Sequence, residues 1–309
     1  MQRKAWFEFH DHRLYPGFLR DLVTDALQAM WNAMEVYAPI AWRLERAIAV
    51  SGAPRIVDLC SGAGGPWLRF SYELQRGGEL QTESPRPPIL LTDKYPSKGA
   101  IRDIQSTSSS RLSFYPEPVD AMNIPPELSG FRTIFSTFHH FGPAEARAML
   151  KSALEQRQGI GIFEAAKCDL RTVAAVIVVP LLALRLATAI RPFRWSRMFW
   201  TYLVPAIPLT LWLDGVLSCL RSYSQDDLRE LTFGLESDDY CWEIGEERKG
   251  PVAITYLLGF PCVPEKTEDA PAPAAEFEEV QMQRPPERAG RCRKPEMRYC
   301  GDSEPPLSF

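Results

Sequence analysis

Two short stretches carry residue types and spacings that could do chemistry. The first is Asp58-Leu59-Cys60-Ser61-Gly62-Ala63-Gly64-Gly65. Its glycines let the backbone turn sharply and approach a ligand closely. A helix starting just beyond them would aim free N–H groups and its positive dipole end at that ligand. The second is Ser136-Thr137-Phe138-His139-His140-Phe141. A histidine there could take a proton from a hydroxyl or amine at neutral pH. Taken alone, the glycine stretch could serve a dinucleotide, a phosphate, or no ligand. Further along, Glu164 is a secondary acid–base candidate, with a helix cap or a pairing to Lys167 as its alternatives.

Elements of an alternating fold must position these residues. Arg55–Leu59 reads as a short buried parallel strand leading into the glycine loop, with a helix over 66–75 behind it. A polar spacer over 77–88 follows, then a strand over 89–93 and a helix over 97–105. Further strands are expected over 112–115, 133–136 and 159–164, with a helix over 144–156. Ser224 and Asp227 stand at capping-box spacing and open another helix. Strands over 240–244 and 252–258, joined by a charged turn, suit an antiparallel pair at a sheet edge. Ahead of all this, residues 17–48 have helical spacing, with Pro39 separating two helices. The pattern predicts an α/β, doubly wound, Rossmann-like sheet, mainly parallel with an antiparallel pair at its C-terminal end.

The glycine loop narrows further. The dinucleotide fingerprint needs a third glycine, but Trp67 occupies that position. No Gly-Lys-Ser/Thr follows, which excludes a P-loop. Asp58 precedes the glycines, and a carboxylate there suits a zwitterionic, sulfonium-bearing ligand better than a pyrophosphate. Asp58 to Gly65 resembles motif I of the class I S-adenosylmethionine-dependent methyltransferases, in the form Asp-Leu-x-x-Gly-x-Gly. The resemblance covers roughly residues 50–165 and 223–260. It implies S-adenosylmethionine as cofactor, with Asp58, Ser61, Gly62 and Gly64 around it. It implies that Asp93, ending Leu91-Thr92-Asp93, holds the ribose hydroxyls, and that Asp120-Ala121 flank the adenine. It also implies that Ser136 and the His139-His140 pair lie near the methyl group, as in small-molecule members of the family. Two departures stand out: Cys60 replaces a usual glycine, and the 77–88 spacer is long.

Methyl transfer needs alignment and at times a base, so no metal is expected. His139 and His140 are the catalytic candidates, with packing and pocket shaping as the alternative. His10-Asp11-His12 looks like a metal motif but has no further ligand of known proximity, so a turn or lid contact is the better reading. Trp6, Phe7, Phe9, Tyr15 and Phe18 could cover the cofactor, or simply pack a helix on the core.

The chain has 309 residues, a net charge of −4 and seven cysteines without a CxxC pair. Reduced thiols in a cytoplasmic protein are expected, and Met1–His12 has no apolar signal core. Neither a basic stripe outside the 170–222 segment nor an Asn-Pro-Pro-Tyr tetrapeptide supports a nucleic-acid substrate. The distinctive feature is an insertion over 170–222. Thr172–Leu184 and Met198–Leu213 are apolar, and the intervening stretch carries Arg185, Arg191, Arg194, Trp195 and Arg197. Each run is shorter than the roughly 20 residues of a spanning helix. A monotopic membrane-surface hairpin, a lid or dimer interface over a greasy acceptor, and true spans are the three readings. The domain plan is a helical cover over 1–50, a catalytic domain over 51–169 and 223–261, the insertion, and a disordered tail over 262–309. The expected function is methyl transfer to a small lipophilic acceptor, with possible membrane-surface contact through 172–213. The alternatives are a non-catalytic partner protein of the same fold and a nicotinamide-dependent oxidoreductase. No oligomeric state follows from the sequence.

Overall fold

The computed structural model describes residues 8–9, 12, 14–67, 69, 87–96, 101–102, 104, 111–250 and 252–262. All of them belong to one compact unit, Met1–Pro264. Most of the helices expected over 66–75 and 97–105, most of the 77–88 spacer, Trp6, Phe7, His10 and Asp11 lie outside the described residues. So does the tail beyond Cys262.

Seven strands form one sheet: β1 (Ile56–Leu59), β2 (Ile89–Leu91), β3 (Leu112–Phe114), β4 (Phe131–Phe135), β5 (Ile160–Glu164), β6 (Tyr240–Lys249) and β7 (Val252–Pro261). Their order is β3-β2-β1-β4-β5-β7-β6. The first five are parallel, and β7 runs antiparallel between β5 and β6. This is the expected doubly wound sheet with its antiparallel ending. The strand order reverses between β1 and β4, and in open α/β sheets a ligand crevice lies beyond the carboxyl ends of strands at that point. The glycine loop leaves β1 there, and the segment carrying His139 and His140 leaves β4 beside it.

Both faces of the sheet are covered. One face packs α2 (Ala41–Ser51) and its approach, through Ile40, Leu44 and Ala47, near Trp67 and Phe131. The other packs α3 (Pro143–Glu155), which starts with proline at its first position, through Ala146, Met149 and Leu150. Each fully buried side chain of this size stabilises the fold by about 1.5–3 kcal/mol.

A third cluster joins α1 (Gly17–Met34) to the insertion. The insertion consists of α4 (Leu170–Leu186), α5 (Trp195–Met198), a π-turn over Phe199–Leu203, and α6 (Ala206–Arg221). Asp169 starts α4 by accepting a 2.7 Å hydrogen bond from the Thr172 N–H. At Val204-Pro205 the chain bends by 69° before α6. Leu22, Ala26 and Met30 of α1 meet Ala183, Ile207 and Leu211. After the insertion α7 (Gln225–Thr232) opens with the expected capping box between Ser224 and Asp227.

Two expectations need correction. Arg197 is not a free basic residue: it is fully buried, donates to the Ile190 and Pro192 carbonyls, and pairs with Asp25 of α1 at 2.9 Å. Arg194 lies 3.4 Å from the same carboxylate. Those arginines therefore fasten the insertion to α1. The thiols are not all free either, since Cys241 and Cys262 form a disulfide across the β6–β7 pair. Strand register brings together two cysteines that stand 21 residues apart in sequence.

Candidate functional site

The glycine loop is held by its own strand and by its neighbours. Asp58 is 1% exposed, and its two oxygens accept hydrogen bonds of 2.6 Å from Ser61 Oγ and 2.6 Å from Thr133 Oγ1. One carboxylate thus ties β1, the loop and β4 together. Burial pushes Asp58 up to about 6, against the hydrogen bonds from Ser61 and Thr133. The Gly62 N–H donates to Asp93 Oδ2 at 2.7 Å, and the Tyr95 N–H donates to Asp93 Oδ1 at 2.7 Å. Gly62 has φ +55°, and a Cβ there would sit 3.1 Å from Thr24 Cγ2 of α1. Gln28 of α1 donates to the Ala63 carbonyl at 2.7 Å. The loop is therefore clasped between the sheet and α1. Trp67 is wholly buried, edge-on to Phe135 at 5.5 Å, where a dinucleotide fold would have glycine.

A cavity of about 620 Å³ opens against this loop. Asp58, Ser61, Gly62, Asp93 and Ser136 line it. Ser136 has φ +45°, and its hydroxyl meets the Tyr37 hydroxyl at 2.5 Å. The cavity then continues along the inner face of the insertion, past Ala175, Val176, Val179 and Leu182 of α4 and Leu211 of α6. Of the remaining expected cofactor residues, Gly64 packs against Gln28 and Ile104, and Ala121 is buried in the core. Asp120 pairs with Lys94 at 2.8 Å, and Lys94 lines the cavity. Among the aromatic residues expected as a cover, Tyr15 and Phe18 turn to the insertion instead. Tyr15 bonds Thr210 at 3.0 Å, and Phe18 packs on Trp200.

At the far end of the switch-point crevice the structure gathers His139, His140, Glu164 and a residue that the sequence did not single out, Glu8. His139 is 2% exposed. Its Nδ1 meets Glu164 Oε2 at 2.7 Å, and its Nε2 meets Glu8 Oε1 at 3.0 Å. Glu164 also accepts from the His139 N–H at 3.2 Å. Burial would lower the His139 imidazole, but the Glu164 charge and the hydrogen bonds to Glu164 and Glu8 outweigh it and raise the group to about 9. With both ring nitrogens engaged, His139 takes no proton from an acceptor unless one carboxylate withdraws. His140 Nε2 stands 3.5 Å from Glu8 Oε2, on the cavity wall. Glu8 also accepts from Ser218 Oγ at 2.8 Å, and the adjacent Phe9 N–H donates to Asp214 at 2.6 Å. Lys167, the other partner considered for Glu164, pairs with Glu246. No local pattern marks Glu8, because it meets His139 from 131 positions away.

No family model and no curated protein matches the chain. Solved structures do resemble it. Human N-acetylserotonin methyltransferase in complex with S-adenosylmethionine is 13% identical, with a TM-score of 0.40 over 77% of this chain and 56% of that one. The pyocyanin biosynthetic protein PhzM is 14% identical, with a TM-score of 0.41 over 74% and 56%. Magnesium protoporphyrin IX methyltransferase from Synechocystis PCC 6803 is 10% identical, with a TM-score of 0.39 over 81% and 87%. The chain spans about half the length of the first two. Its own strand order, β3-β2-β1-β4-β5-β7-β6 with β7 antiparallel, is the doubly wound sheet that the sequence resemblance implied.

Proposed function

We propose that the chain is an S-adenosylmethionine-dependent methyltransferase acting on a small lipophilic acceptor at a membrane surface. The carrying observation is the continuity of one cavity from the carboxylates and glycines of the β1 loop to the apolar wall of the insertion. The donor set fits the cofactor. Asp93 offers a carboxylate at the cavity wall with the buried Asp58 carboxylate behind it, in a loop where Gly62 and Gly65 present no side chain to the cavity. When bound, the cofactor supplies an electrophilic methyl group on a sulfonium, for in-line attack by the acceptor. Asp93 and the loop it braces would bind and orient it, and the apolar wall would exclude water from the reacting end. Glu164 and Glu8 hold His139, which fixes the β4 segment beside the cavity.

The outer face of the same insertion supports a bilayer as its partner. Ile177, Leu181, Trp195 and Leu203 are 62%, 65%, 80% and 73% exposed. Large apolar side chains exposed together on one insertion suit an interaction surface. Arg185 and Arg191 are exposed beside it and complement anionic headgroups, while Trp195 suits the interfacial layer. Among the described residues no single helix is long and apolar enough to cross a membrane. One bent pair, Trp195–Leu203 with Ala206–Arg221, is long and apolar enough together, and its 69° bend suits a surface-lying hairpin. Val178 lines the cavity and is also 56% exposed, so an acceptor could pass from this face into the site.

The test uses the full chain with methyl-labelled S-adenosylmethionine, a lipophilic extract, and vesicles that are either anionic or neutral. Labelled lipophilic product and co-flotation with anionic vesicles are expected. No labelled product in any extract would contradict the enzymatic reading. Dimerisation in place of flotation would assign the apolar face to a second copy.

A further inference from the structure

We infer that Glu8, His139 and His140 form a binding site for a single first-row divalent metal ion, with Zn²⁺ the best match. One ligand atom from each, a carboxylate oxygen and two imidazole nitrogens, lies within 4.8 Å of the others. Glu8 Oε1 is 3.0 Å from His139 Nε2, and Glu8 Oε2 is 3.5 Å from His140 Nε2. Tetrahedral zinc bonds of about 2.0–2.1 Å place neighbouring ligand atoms about 3.3 Å apart, so the three side chains would draw in slightly from within 4.8 Å, with Glu8 turning one oxygen to both rings. The two imidazole ring centres lie 4.4 Å apart, with their planes tilted by 34°, on one short turn.

A second observation points the same way. Metal-bound histidines donate their other ring nitrogen to a carboxylate, which fixes the tautomer and strengthens the ligand. His139 has that arrangement: Glu164 takes Nδ1 at 2.7 Å and Nε2 is directed at Glu8, so an ion bound there would displace the Nε2 proton. Ser218 Oγ steadies Glu8 from the insertion side at 2.8 Å. Arg221 lies 3.8 Å from Glu8 Oε1 and competes for that oxygen, while Oε2 faces His140.

The donor chemistry selects the ion. Two imidazoles and one carboxylate suit Zn²⁺ and its first-row neighbours, whereas Mg²⁺ and Ca²⁺ prefer oxygen alone. All three residues line the main cavity. Three protein ligands leave a position for water or for an oxygen of a bound molecule, as in catalytic rather than structural zinc sites. This site stands on its own geometry and does not depend on the methyltransferase reading.

The experiment is metal binding by the full chain after chelation, followed by dialysis against Zn²⁺ and against Co²⁺. About one equivalent of Zn²⁺ by elemental analysis is expected, with Co²⁺ giving tetrahedral visible absorption that Zn²⁺ displaces. His140→Ala and Glu8→Gln should each weaken binding at least about tenfold, and Glu164→Gln should weaken it about 10–100-fold through the outer shell. His140 is partly exposed, so its variant is expected to keep the far-ultraviolet dichroism of the parent. Should that variant misfold, Glu8→Gln decides alone. Substoichiometric binding by the parent chain, or full binding by both His140→Ala and Glu8→Gln, would overturn the site.

Discussion

The two halves of the cavity are built on different principles. The loop half, from Asp58 to Gly65 with Asp93, is made by backbone geometry and short polar side chains, and its hydrogen bonds are local or cross one neighbouring strand, apart from Gln28 of α1 on the Ala63 carbonyl. The insertion half is made by apolar packing between segments more than 150 residues apart, with Met30 and Ala26 of α1 against Ile207 and Leu211. The first half needs particular residues at particular places. The second needs only a complementary surface, and so is free to differ in the acceptor it admits.

The largest expected effect breaks the loop half alone. Gly62→Val would place a branched side chain at φ +55° with a Cβ 3.1 Å from Thr24, and should reduce S-adenosylmethionine affinity at least about 100-fold in calorimetry. Asp93→Ala should do the same by removing the acceptor of the Gly62 and Tyr95 N–H groups. Met30→Ala strikes the other half. It should cost about 2–5 kcal/mol in denaturant unfolding through the cavity it leaves, while surviving folded protein still binds the cofactor.

A smaller effect is a pH dependence that belongs to the loop. Asp58 has its folded value raised from 3.8 to about 6, so the folded state binds more protons than the unfolded one between those values. Unliganded stability should therefore rise as pH falls through about 6 and level off near the unfolded value, by about 2–3 kcal/mol. A cationic ligand favours the carboxylate, so cofactor affinity should rise as pH increases across that window. Asp58→Asn should flatten both profiles; an unchanged profile would place the titration elsewhere. The smallest effect belongs to the outer face. Trp195→Ala should lower anionic-vesicle binding by about threefold, at roughly 0.7 kcal/mol, and leave cofactor affinity unchanged.

The same contrast explains what could be read from the chain. Strand periodicity and the capping box at Ser224 are local signals, and the structure places those elements where they were expected, with the glycine loop and Asp93 on the wall of one cavity. Glu8 had no local signal, because its meaning comes from meeting His139 and Ser218 across the fold. Arg197 read as a basic surface residue because nothing near it in sequence reveals Asp25. Cys241 and Cys262 pair only once the β6–β7 register is known. The apolar character of the insertion was legible, but not its division into an inner face on the cavity and an outer face in solvent. That division depends on which side of α4 meets α1 and α6.

The most direct test of the joint cavity is calorimetry of S-adenosylmethionine against the parent chain, Gly62→Val, and Val179→Trp, which fills the acceptor wall. The account predicts one bound equivalent for the parent and loss in Gly62→Val. Val179→Trp should keep cofactor binding but lose transfer of label to lipophilic product. No binding by the parent, or equal binding by parent and Gly62→Val, would contradict it.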